Sequence, residues 1–121
     1  MSKGYSTAVV AKGPLVFVSG QVPEAADGSV AEGDATEQAR QVFRNIEAAL
    51  AEHGTGFRHT VKLTYYLRHI ADLAAVRAVL AEFLVHRPRP ASTLVEVSGL
   101  LDSRYLLEID AVATIPERTE G

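Results

Sequence analysis

Arg87-Pro88-Arg89-Pro90-Ala91-Ser92-Thr93-Leu94-Val95-Glu96-Val97 is a loop that runs straight into a strand. Two prolines in four residues cannot continue a helix, because each lacks the backbone donor and locks its own φ. The run from Ser92 to Val97 then takes up β-branched and apolar residues, which predicts a strand. Upstream, Leu73, Val76, Val79, Leu80 and Phe83 recur at helical spacing, so a helix starts near Ile70 to Asp72 and stops at this loop. Downstream, a loop with Gly99 and Asp102-Ser103 leads to another strand, Leu106 to Ala113.

Working outward, Thr60 to Leu67 alternates, with Val61, Leu63, Tyr65 and Leu67 on one face and Lys62, Thr64 and Tyr66 on the other. That is the pattern of a half-buried strand. Before it lies a helix announced by Asp34 and Glu37, whose D-x-x-E spacing lets Asp34 accept from first-turn amides. Ala39, Val42, Phe43, Ile46, Ala49 and Leu50 make its buried stripe, and Gly54 supplies a left-handed stop. At the N-terminal end, Tyr5 to Ala11 and Leu15 to Ser19 read as two strands of an antiparallel hairpin about Lys12-Gly13-Pro14. Residues 22–33 read as loop, with room for a short strand near Ser29-Val30, and the polar tail from Pro116 is expected to fray.

The expected order is ββ(β)αβαββ, an α/β (α+β) class domain over residues 1–121 with two helices on one face of a mixed sheet. Each helix has one apolar stripe, so together they cover one face only. Leu15 to Val18 and Leu106 to Ala113 are nonetheless apolar on both faces. With no helix left to cover the second face, another copy of the chain is the expected cover.

Composition narrows the function classes. Hydrophobic residues make up 47% of the 121 and charged residues 22%, the balance of a globular domain. A net charge of −3 gives no general attraction for nucleic acid or an anionic membrane, and four Tyr, four Phe and no Trp offer little base-stacking surface. The absence of cysteine excludes disulfides, thiolate metal sites and a cysteine nucleophile. Met1-Ser2-Lys3-Gly4-Tyr5-Ser6 has no apolar signal region, and no run approaches the ~20 apolar residues of a membrane span. A cytoplasmic enzyme or binding protein is the expectation.

The chemistry-bearing residues are few. His53, His59, His69 and His86 show no metal-ligand spacing, so no metal is expected. Ser19 sits in Val18-Ser19-Gly20, short of the G-x-S-x-G elbow, and reads as a turn residue. Gly54-Thr55-Gly56 follows a helix rather than opening one, so it is no phosphate cradle. The arginines between His86 and Pro90 read as a solvated, semi-extended connection. Glu108 has two readings. It lies among aliphatics, where a carboxylate is costly unless paired or used, yet it could share a solvent-facing side with Asp110.

Five blocks carry a family resemblance: Gly4-Tyr5-Ser6, Val18-Ser19-Gly20-Gln21-Val22-Pro23, Val61 to Leu67, Pro90 to Val97, and Leu107-Glu108-Ile109-Asp110-Ala111-Val112-Ala113. In this order and spacing the chain resembles the Rid family (YjgF/YER057c/UK114, or endoribonuclease L-PSP), the reactive-intermediate deaminases. The resemblance implies a chorismate-mutase-like fold and a homotrimer whose sheets form a central barrel, with clefts between subunits. It implies cofactor-free hydrolysis of the enamine or imine of a short α-amino acid to a 2-oxo acid and ammonia, with an arginine holding the substrate carboxylate. Tyr5, Ser19, Gly20 and Glu108 carry over as pocket residues, Glu108 as the residue that positions water. The family's carboxylate-binding arginine does not carry over: Pro-Ala-Arg becomes Pro90-Ala91-Ser92. Arg77 stands where many members have asparagine, and either restores a positive charge to the cleft or is a solvated helix arginine, the plainer reading.

Three functions follow. The first is a hydrolase, a deaminase of an imine or enamine other than the standard 2-iminobutanoate. The second is a non-catalytic trimer that binds a small metabolite or assists a partner. The third is a ribonuclease, disfavoured by the net negative charge and the lack of a His/Lys cleavage pair.

Overall fold

The computed structural model describes residues 4–117. Its elements are β1 (Leu15–Gln21), α1 (Ala35–Ala51), β2 (Thr60–Leu67), α2 (Leu73–Phe83), β3 (Ala91–Glu96) and β4 (Leu107–Thr114), with single 3₁₀ turns at Phe57–His59 and Ile70–Asp72. The strands form one mixed sheet in the order β1-β4-β2-β3. β4 runs antiparallel to both neighbours, while β3 is parallel to β2 and reached through α2. This is the α+β architecture expected, with both helices on one side. The polar tail expected to fray begins at Pro116, and all but its first two residues lie outside the described range.

Local chemistry sets the element limits. Asp34 caps α1, its Oδ1 accepting from the Glu37 amide at 3.0 Å, and Gly54 adopts φ +72° just beyond the helix end. Ala39, Val42, Phe43, Ile46 and Leu50 are fully buried against the sheet. Phe43 stacks on Phe83 at 5.4 Å and meets Phe57 edge-on at 5.9 Å, which locks α1 to α2. From the sheet, Leu63, Leu67, Leu107 and Ile109 complete this core.

Two expected strands are not formed. Tyr5–Ala11 does not make a hairpin with β1. Instead the Ser6 amide donates to Pro90 O at 3.0 Å, Ser6 Oγ donates to Arg89 O, and Ser6 bridges Ala91 in parallel. The start of the chain is therefore held at the β3 edge, at the other end of the sheet from β1, and Val10 is fully exposed. Small and β-branched composition alone cannot choose a strand's partner. The Ser29-Val30 strand is replaced by a turn, because Asp27 Oδ1 accepts from both the amide and the hydroxyl of Ser29.

One buried polar residue ties loops to this core. Gln38, fully buried, donates from Nε2 to Ala31 O (3.0 Å) and Arg104 O (2.9 Å) and accepts from the Leu106 amide at 2.8 Å. Gln38→Leu would strand all three backbone groups, each costing about 1–3 kcal/mol where it stays dry. A loss of about 2–4 kcal/mol is expected in urea unfolding, and a change under about 1 kcal/mol would contradict this role.

Candidate functional site

A cleft of about 460 Å³ opens between α2 and the strands β2 and β3. Parallel pairing puts Ser92 beside Leu63 and Leu94 beside Tyr65, so these residues point toward the helices. Tyr65, Ser92 and Leu94 form the floor. Leu73, Val76 and Leu80 of α2 give an apolar wall that also carries Arg77. Arg89 enters from the loop before β3, and Tyr5 closes the same end because Ser6 is bonded to the Arg89 and Pro90 carbonyls. The structure thus brings together Tyr5, Arg77 and Ser92.

Ser19, Gly20 and Glu108 gather elsewhere. Along β4, Leu107, Ile109, Ala111 and Ala113 are buried under the helices, so Glu108 and Asp110 face the opposite side of the sheet. Glu108 lies beside Tyr66 in the β2 register, and a Cβ built at Gly20 would overlap the Glu108 carboxylate. Glycine is needed there for room, not for its backbone freedom. Tyr66 donates its hydroxyl to Asp110 Oδ2 at 3.1 Å, and that bond, ahead of the negative charges of Asp110 and Glu108, raises its pKa. Among the described residues no cation forms a salt bridge with Glu108. Glu108 shares its face with Asp110, as one of the two sequence readings has it, and Val112 on that face is half-buried.

Phe17 is 73% exposed on the same open face, together with Leu15 and Val95. The row across the sheet through Phe17 continues into Val112 and Lys62, so apolar and polar residues share one row.

Two cleft residues escaped sequence reasoning. Arg89 is not a solvated link: its Nε is buried without a hydrogen-bond partner, and burial, then the neighbouring Arg87, lowers its pKa. Its only sequence signal is its place between two prolines, which fix the backbone on either side. Tyr65, read as a packing residue, presents its phenol to the cleft. Burial raises its pKa well beyond the usual range for tyrosine, against the opposing pull of Arg89 and Arg77. Among the described residues no group of three or more His, Asp or Glu stands where it could hold a metal, and no helix is long and apolar enough to cross a membrane.

Known proteins share this fold. The family model described as endoribonuclease L-PSP matches residues 1–115. The chain belongs to this family. Its L-PSP relatives include the RutC family protein PH0854 of Pyrococcus horikoshii, 38% identical over 90% of this chain and 85% of its own length. Another is the mitochondrial protein MMF1 of Saccharomyces cerevisiae, 34% identical over 89% of this chain and 74% of its own. Among solved structures, the Rid-family protein YyfB of Yersinia pestis superposes with a TM-score of 0.85 at 29% identity, covering 93% of this chain and 87% of its own. RidA of an Antarctic Psychrobacter gives 0.78 at 31% identity, covering 92% and 88%. The chorismate-mutase-like fold is common to them.

Gly20→Ala isolates the Glu108 contact. The overlapping atoms belong to a flexible side-chain end, so the fold is expected to stay within about 1 kcal/mol of the parent in chemical denaturation. The Glu108 carboxylate is expected to swing away from residue 20 in a crystal structure of the variant. An unmoved Glu108 would contradict the assignment.

Proposed function

We propose that this L-PSP family member hydrolyses a small imine or enamine in a cleft between subunits of a homotrimer, without a cofactor. Glu108 holds the attacking water and takes its proton. Water oxygen adds to the C=N carbon while nitrogen gains a proton. The resulting carbinolamine collapses to a C=O bond and releases ammonia, so atoms and charge balance. Tyr5, Ser92 and Arg77 line the binding side, and Ser19 and Gly20 support Glu108.

One observation carries this reading: within a single chain, Glu108 and the cleft lie on opposite faces of one sheet. A second copy that covers the open face of the first would bring its own cleft edge toward that Glu108, and would bury Phe17, Leu15 and Val95 in the same step. Association and site completion thus become one event. The family's description as endoribonuclease does not favour RNA as the substrate here, since a chain of net charge −3 gives the phosphate backbone no general attraction.

The test generates imines in situ with an amino-acid oxidase, varies the side chain, and follows ammonia release. Decarboxylated and esterified analogues complete the panel. Acceleration that falls about 10²–10⁴-fold in Glu108→Gln is expected. No acceleration across the panel, or no effect of Glu108→Gln, would leave the second reading, a trimer that binds a small metabolite without converting it.

Light scattering tests the assembly. The parent should have three times the mass of one chain. Phe17→Asp should shift it toward the monomer and remove ammonia release together, whereas an active monomer would contradict a shared site.

A further inference from the structure

A second hollow, of about 180 Å³, lies apart from the cleft, where the start of β2 meets the turn before β1 and the proline loop. Ile115 donates its amide to Pro14 O at 3.1 Å, which holds the Lys12-Gly13-Pro14 turn beside the end of β4. Thr60 pairs with Ala113 of that strand, so Lys12, Arg58 and Thr60 line one space. Arg89 reaches it from the loop: Thr60 and Arg89 each stand two residues before the first parallel pair, Lys62 with Ala91. Thr60 is only 5% exposed and its Oγ1 finds no hydrogen-bond partner in the protein, and neither does the buried Nε of Arg89. Two of the three such side-chain atoms among the described residues therefore belong to residues that line this hollow.

Buried donors left unpaired are costly and rare. An N–H and an O–H that border one space without bonding each other are both satisfied by a single acceptor-rich group. Water would supply acceptors, but it leaves the charge unanswered. Lys12, Arg58, His59 and Arg89 line the hollow, and among the described residues no Asp or Glu does. None of these four forms a salt bridge there. We propose that this hollow binds a phosphate group, either the inorganic anion or a small phosphate ester. Three or more oxygens let one phosphate accept from donors on separate chain segments, whereas a carboxylate has two in one plane. Thr60 Oγ1 and Arg89 Nε are the inner contacts, and Lys12 and Arg58 add charge from the exposed side. Val9, Val61 and Pro88 also line the space, which gives the organic part of an ester apolar surface. Arg89 alone is common to this hollow and the cleft, and the phosphate site does not rest on the hydrolase reading.

Calorimetry on the assembled protein, with inorganic phosphate, phenyl phosphate and sodium acetate as probes, tests the site. Phosphate should bind at least about tenfold more tightly than acetate, the weight of one further charge-assisted bond. Phenyl phosphate binding more tightly than phosphate would support the site and identify an ester as its ligand; the reverse order would support it and identify the free anion. Thr60→Val keeps the shape and removes the hydroxyl, and should weaken phosphate binding about tenfold. Without phosphate this variant should unfold no earlier in urea than the parent, since the lost hydroxyl bonds nothing in the protein. Lys12→Gln and Arg58→Gln, both at exposed positions, should each cost about threefold and together about tenfold, with larger effects at low ionic strength.

Arg77→Gln separates the two spaces, because Arg77 lines only the cleft, and it should bind phosphate like the parent. Phosphate binding no tighter than acetate, affinity unchanged in Thr60→Val or in the Lys12/Arg58 double variant, or a loss in Arg77→Gln would overturn the site. Phosphate-free Thr60→Val unfolding at distinctly lower urea would also overturn it, because the hydroxyl would then have a partner within the protein. No detectable phosphate binding would leave water as the partner of Thr60 and Arg89, and would overturn it as well. Ammonia release from the imine panel reports on Glu108 and not on this hollow, so the failure of either proposal is read separately from the other.

Discussion

Two helices shield only one side of a four-stranded sheet, and the rest of this molecule follows from the side they leave bare. α1 and α2 take up Leu63, Leu67, Leu107 and Ile109, the residues that alternation directs toward them. Every intervening position is thereby sent the other way, including Phe17, Tyr66, Glu108 and Asp110. The exposed rows are neither a solvated polar surface nor a plain apolar patch. Phe17 and Val112 share theirs with Lys62, and the neighbouring rows carry Glu108 beside Tyr66 and Asp110 beside Thr64. A carboxylate set between Gly20 and Tyr66 can be kept accessible there while the apolar residues find a partner. Such a face suits an interface that encloses polar chemistry better than one that buries everything.

The part of the fold controlled by periodicity and capping was legible before any coordinates. Thr60–Leu67 and α1 have their expected positions because burial of one face and the Asp34 cap act within a few residues of chain. The second helix likewise stops before the proline loop. What was not legible depends on distant partners. Tyr5 to Ala11 has strand-like composition, yet the bonds from Ser6 to the carbonyls of Arg89 and Pro90 draw the chain start to the opposite sheet edge. Those bonds join residues 83 and 84 positions apart, and no local pattern records them. The same contact sets Tyr5 over the cleft, so a detail that defeats the hairpin expectation also builds the site.

The site residues divide along the same line. Glu108 and Gly20 could be singled out by one oddity each, a carboxylate among aliphatics and a glycine at a strand end. Their mutual contact is a steric fact: the Glu108 carboxylate occupies the space a side chain at residue 20 would fill. Arg89 has no such oddity, because an arginine between prolines is ordinary in an exposed loop. Only the cleft reveals it, through the burial of its Nε and, among the described residues, the absence of any acid along the walls.

Ser92 then takes on a different meaning from the one its neighbours in sequence suggest. Judged as a replacement for arginine, it removes a cation from the cleft floor, and a carboxylate ligand would lose its charge-assisted partner. Judged inside the cleft, it removes bulk from the floor while two guanidiniums remain on the walls. A long cation at position 92 as well would stand in the same roughly 460 Å³ as Arg77 and Arg89. Like charges so close, shielded from water on the side where Tyr65 is buried, repel one another. The small hydroxyl on the floor is thus compatible with the two arginines that line the same cleft. The cleft keeps a positive wall while its floor is left open above Ser92.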